Sequence, residues 1–156
     1  MRYLGLGLLL MLMQACGPQY INGTTLEDNP ENRALTAVVE TYRLALEQRD
    51  VEALSQIISE EYFESGGTTN LADDDYGFKG AIQKVIPLLD SSIEEVHLKM
   101  DISSIEYQQT GASVLVDYDL KFRYVMGEKK GWSSKKDSHR LLFVKDAGVW
   151  KLKGGL

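Results

Sequence analysis

The chain has 156 residues, 44% hydrophobic and 26% charged, with a formal net charge of −6, a size and balance that suit one domain built on one core. The excess of acids repels nucleic-acid phosphates, which bind through Lys and Arg, so no nucleic-acid partner is expected. Cys16 is the only cysteine, which excludes an internal disulfide and a thiolate metal cluster.

Read from the N-terminus, Arg2 supplies one positive charge and Leu4 to Met13 form an unbroken run of Leu, Met and Gly. This is the order of a secretory signal, a charged region followed by an apolar one. The run is too short to span a bilayer, which takes roughly 20 apolar residues. Met13-Gln14-Ala15-Cys16 follows at once and resembles the lipobox of bacterial lipoproteins, with an apolar residue three before the cysteine and a small one just before it. That resemblance implies cleavage between Ala15 and Cys16, a diacylglycerol thioether on Cys16, and anchoring in the lipid bilayer. Two or three acyl chains give stable attachment, at about 0.8 kcal/mol per buried methylene. Gly17 stands where an aspartate would retain the protein at the inner membrane, so the expected address is the periplasmic side of the outer membrane. Residues 1–15 are thus expected as a signal peptide, 16–33 as the lipidated cysteine and a flexible tether, and 34–156 as the folded domain.

Gly17 to Asp28 are polar and without apolar periodicity, which predicts the tether. Asn22-Gly23-Thr24 matches a glycosylation acceptor and is read as coincidence. Asn29-Pro30-Glu31 has the form of a helix start, with a capping Asn, Pro in the first turn and an acid at the positive end of the dipole. Leu35, Val38, Val39, Tyr42 and Leu46 then make one apolar stripe. Asp50 caps a second helix with Val51, Leu54, Ile57 and Ile58 inward, and Tyr62-Phe63 begin a short extended piece ending at Gly66-Gly67. Thr68 to Phe78, with Asp73, Asp74 and Asp75, reads as a polar loop. A third helix is predicted over 79–89 with Ile82, Val85, Ile86 and Leu89 inward, kinked or ended by Pro87. Beyond it the period changes to two: Val96, Leu98, Met100 and Ile102 alternate with polar residues, as do Val114, Val116, Tyr118, Leu120, Phe122 and Tyr124. A third strand is predicted over 131–145 and a last one over 148–153, joined by the turn Asp146-Ala147-Gly148. The class is α+β: three N-terminal helices packed on a curved antiparallel sheet of about four long strands, forming a cone.

Over residues 34–156 the text resembles the nuclear transport factor 2-like fold, which also houses ketosteroid isomerases and SnoaL-like polyketide cyclases. Carrying the resemblance are Ala37-Val38-Val39 leading to Tyr42, then Ala45-Leu46 and Arg49-Asp50-Val51, and the ending Arg140-Leu141-Leu142-Phe143-Val144 with Trp150-Lys151-Leu152. Ketosteroid isomerases use a first-helix Tyr as oxyanion donor, an Asp that moves the proton and a protonated strand Asp. Tyr42 falls on the Tyr position, the base position falls on Gly66, and the strand acid falls near Arg140, so one role of three survives. Glu64 lies two residues before Gly66 and is the candidate for a displaced base. The three loop aspartates do not by themselves arrange the six to eight oxygens of a calcium site, and His97 and His139 lack zinc spacing. No nucleophile elbow, phosphate loop or dinucleotide fingerprint is present, and no metal or cofactor is expected.

The candidate pocket residues are Tyr42, Tyr62, Glu64, Tyr76, Tyr118 and Trp132. Of these, Tyr62, Tyr118 and Trp132, with Trp150 and Tyr124, either line the cone of such a fold or fill it. The leading expectation is a membrane-tethered, non-enzymatic binding module for a small apolar molecule or a protein. The alternatives are an isomerase- or cyclase-like enzyme using Tyr42 and Glu64, and a structural envelope protein whose sheet face pairs with another protein. A homodimer through the open sheet face, with Phe122 or Val125 contributing, is a further expectation.

Overall fold

The structure, a computed structural model, describes residues 17–65 and 75–155. Cys16, Gly66, Asp73 and Asp74 lie outside the described residues. Helix α1 spans Pro30–Gln48, and its cap is the expected one: the Asn29 side chain accepts the Asn32 backbone N–H, with Pro30 in the first turn. Leu35, Val39, Tyr42 and Ala45 form its buried face, spaced at three and four residues as an amphipathic helix requires. Helix α2, Val51–Ile57, is capped by Asp50, which accepts the Ala53 N–H. Two short strands, β1 (Phe63–Glu64) and β2 (Tyr76–Gly77), pair antiparallel.

The third helix, α3, runs over residues 78–92 in three pieces: Phe78–Gly80, a π turn over Ala81–Val85, and Ile86–Ser92. The sequence predicted a break at Pro87. In the structure the Ile86 N–H reaches back to the Ala81 carbonyl, an i→i+5 bond, and this wider turn lets Pro87 enter the first turn of the Ile86–Ser92 segment without ending the helix.

A four-stranded antiparallel meander follows in the order β3 (Ile93–Tyr107), β4 (Gly111–Met126), β5 (Lys129–Asp146) and β6 (Val149–Gly154). Ala147 and Gly148, both at positive φ, close the last hairpin with the twist that two-residue turns favour. On the inner face β3 places Val96, Leu98, Met100 and Ile102. A register shift between Ile102 and Ser104 resets the alternation to Ile105 and bends the strand. Being an edge strand, β3 has backbone groups to satisfy, and α1 supplies the partners. Arg43 donates to the Leu98 carbonyl at 3.1 Å, Glu47 accepts the Leu98 N–H at 3.3 Å, and Arg49 donates to the Ile93 carbonyl at 2.6 Å.

The core occupies one half of the cone. Leu35, Leu54, Ile58, Ile86, Val114, Val116, Leu141 and Leu152 are fully buried, joined by Tyr42, Tyr62, Phe143 and Trp150. The segment read as a flexible tether is partly built into the domain. Tyr20 bridges Glu27, Asp28 N–H bonds the Gln19 carbonyl at 2.6 Å, and the buried Asn32 donates to the Glu27 carbonyl at 2.8 Å while accepting from Tyr107 at 2.6 Å. Residues 30–33 are helical, so the folded unit begins before the expected position 34. Among the described residues no helix is long and apolar enough to cross a membrane.

Candidate functional site

Where the core stops, the cone opens. A cavity of about 420 Å³ is bounded by Tyr42 and Leu46 from α1, Leu89 from α3, Ile93, Val96, Leu98 and Met100 from β3, Val116, Tyr118, Leu120 and Phe122 from β4, and Lys135 and His139 from β5. This volume lies within the roughly 300–1,000 Å³ of pockets that hold small molecules. The wall formed by β3 and the helices is apolar except for Tyr42. The polar groups from the rest of the sheet are Tyr118 on β4, directly beside Met100 of β3, and Lys135 and His139 on β5. On β5, Lys135 and His139 are four residues apart, about 13 Å at ~3.3 Å per residue, with Tyr118 opposite the stretch between them, its Cα partner being Asp137.

Of the six predicted pocket residues, the structure brings Tyr42 and Tyr118 to the cavity wall. Tyr62, Glu64 and Tyr76 form an adjoining cluster. The Tyr62 and Tyr76 rings stack at 6.1 Å, and Tyr62 donates to Glu64 at 3.4 Å. Glu64 also accepts the backbone N–H of Gly155 at 2.8 Å, so its carboxylate ties β1 to the end of β6. It is not in open solvent, and it is not on the cavity wall. Gly155 is fitted to this place: its φ is +88°, and a Cβ there would meet the Arg140 carbonyl oxygen at 2.5 Å and His139 Nε2 at 3.0 Å. Burial pushes the Tyr42 hydroxyl well above the ordinary phenol range, with Tyr76, Tyr118 and Glu64 adding to the effect, because the charged form is desolvated. The same cause raises Tyr76 to a lesser degree. Tyr42 therefore stays protonated and is a hydrogen-bond donor at neutral pH.

Trp132 is a correction. It lies on the outer face of the sheet, 47% exposed, with its ring stacked on His97 at 6.0 Å and the Lys121 ammonium 4.7 Å from its centroid. Side chains alternate along β5, and since Leu141 and Phe143 point inward, residue 132 has the outward parity. The same rule finds the two residues that were missed. Lys135 and His139 share the parity of Leu141, a signal present in the sequence.

Phe122 is likewise an inner residue lining the cavity, so of the two side chains expected at a dimer face only Val125 has the outward parity. The outer face is rich in charge. Lys99 pairs with Asp101 at 2.7 Å and Lys136 with Asp119 at 2.5 Å. Ser103 and Ser138 both donate to Asp117, holding that carboxyl below its ordinary range. Among the described residues no group of three His, Cys, Asp or Glu is placed to hold a metal ion.

No family model matches the chain, and no curated protein matches it in sequence. Solved structures do resemble it. A proposed scytalone dehydratase from Novosphingobium aromaticivorans superposes with a TM-score of 0.64 at 20% identity, covering 80% of each chain. A nuclear transport factor 2-like superfamily protein from Salmonella enterica serovar Typhimurium gives 0.63 at 13% identity, covering 79% of this chain and 86% of its own. A proposed dehydratase of the same fold family from Streptomyces avermitilis gives 0.63 at 13% identity, covering 80% and 92%. At these identities the likeness concerns the fold, and a fold of this kind hosts many unrelated functions. The helices, the meander and the half-open cone are those of the nuclear transport factor 2-like fold.

Proposed function

We propose that this chain is a lipid-anchored envelope protein, tethered through an acylated Cys16, whose domain binds a small, largely apolar molecule in the open half of the cone. The observation that carries the binding reading is the cavity itself: about 420 Å³, walled by aliphatic and aromatic side chains with a few convergent polar groups, the usual composition of a small-molecule site. The Glu64 carboxylate, the candidate base, is engaged by the Gly155 N–H and the Tyr62 hydroxyl, which fits a structural role at the end of β6. Native mass spectrometry of the protein purified without denaturation tests the reading. A retained mass of small-molecule size is expected, and a chain that stays empty with apolar probes in excess would refute it. The anchor is tested separately. Cys16→Ser is expected to release the protein from membranes and abolish acyl labelling, and a variant still fractionating with membranes and still carrying lipid would overturn that part.

A second reading, an isomerase- or dehydratase-like enzyme, has one observation in its favour. Tyr42 and His139 line the same cavity, and a phenol and an imidazole are groups that donate and accept protons in catalysis. Some neighbours of the same fold are described as dehydratases. Proton exchange on a steroid-like or polyketide-like ketone, lost in both Tyr42→Phe and His139→Gln, would favour this reading over simple binding.

A further inference from the structure

The polar groups of the cavity are distributed in a way that specifies its occupant more closely, on the premise that the cavity is a binding site. Among the described residues its titratable lining groups are two tyrosines, one lysine and one histidine, with no carboxylate. Leu46 and Leu89 come from the helices, and across the inner sheet face the apolar residues of β3 give way to Tyr118 of β4, the Cα partner of Met100, and then to Lys135 and His139 of β5. Lys135 stands at the mouth, its side chain 60% exposed. Its ammonium lies 5.8 Å from the centre of the Tyr118 ring and pairs with Asp137 at 3.0 Å. A lysine has three N–H donors, so the pair with Asp137 leaves donors for a ligand. Among the described residues, Asp137, which has the parity of Lys135 and is the Cα partner of Tyr118, pairs with that lysine, and Glu64 accepts from Gly155 and Tyr62. A cationic ligand would have to share one of these carboxylates with the group it already holds. A neutral apolar one would leave the remaining donors of Lys135 to water.

We propose that the cavity takes an amphipathic monocarboxylate, an aliphatic or aromatic acid whose carboxylate bonds Lys135 beside Tyr118 at the mouth and whose apolar body lies against Val96, Leu98 and Met100. A charge-assisted hydrogen bond is stronger than a neutral one, and at a half-exposed mouth part of that gain is lost to screening.

The test is calorimetric titration of the full chain in phospholipid nanodiscs, with empty nanodiscs subtracted, using decanoate, decanol and decyltrimethylammonium as probes of equal chain length and different head group. Decanoate is expected to bind roughly tenfold more tightly than decanol, with the advantage lost in Lys135→Gln and kept in Lys135→Arg. Equal binding of decanoate and decanol, or a preference for the ammonium, would overturn the proposal while leaving the cavity as a binding site. An unchanged decanoate preference in Lys135→Gln would also overturn the assigned contact. If none of the three probes binds, both this proposal and the binding reading fail.

Discussion

The two halves of the inner sheet face are written in the same alternating pattern and packed differently. In the half containing Val114, Leu141 and Leu152, these inward side chains are fully buried in the core with residues of α1, α2 and α3. In the half containing Tyr118, Leu120 and Phe122, side chains of the same parity are partly exposed and border a cavity. The difference lies in coverage. Strands β4 and β5 have 16 and 18 residues, about 53 to 59 Å at ~3.3 Å per residue. Helix α1 has 19 residues, about 29 Å at 1.5 Å each. A helix of that length cannot cover strands of that length, and the uncovered part of the cone becomes the cavity.

The largest expected contrast is therefore in stability. Leu141→Ala removes a fully buried side chain from the filled half and should cost about 3 kcal/mol by denaturant unfolding, the cost of losing burial and leaving a cavity. Leu120→Ala, at an existing cavity, should cost under about 1 kcal/mol because its surroundings are already open. Equal losses at the two positions would break the comparison. Next is the junction between the halves. Gly155→Ala places a Cβ at 2.5 Å from the Arg140 carbonyl oxygen and in a left-handed conformation, so about 2 kcal/mol of destabilisation is expected. A wild-type unfolding midpoint would show that the end of β6 is not held as described.

Glu64→Gln sharpens the same point with a smaller effect. It weakens a charge-assisted bond to the Gly155 N–H, and about 1 kcal/mol is expected, with faster amide exchange at Gly155. Smallest at neutral pH is Tyr42, at the border of the filled and open halves. Its folded-state pKa is raised by burial, so the neutral phenol is favoured in the fold. That contribution is fully present below the unfolded value near 10 and is lost as pH rises above it. Wild type should lose stability above pH 10 more steeply than Tyr42→Phe. Parallel pH profiles would mean that Tyr42 ionises as freely as in the unfolded chain.

Much of the fold was legible because its signals are local. Asn29 and Asp50 cap helices where the sequence places them, and the period-two runs of β3 and β4 turn the expected residues inward. The docking of residues 17–29 was not legible, since it depends on backbone bonds such as Asp28 to Gln19 and on one buried side chain, Asn32, which no apolar period announces. At the site, parity alone separates Trp132 from Lys135 and His139, so those placements were readable from Leu141 backward along β5. Whether the cone is open or filled was not readable, because alternation reports which face a residue takes and says nothing about what covers it. Val114 and Leu120 have the same parity and opposite fates.

The most direct test of this account is methyl NMR of the full chain in nanodiscs during titration with decanoate. Shift changes are predicted at Leu98, Met100 and Leu120, with Leu35, Leu141 and Leu152 unmoved. Changes spread evenly over both sets, or confined to the second, would contradict the division of the cone into a filled half and a binding half.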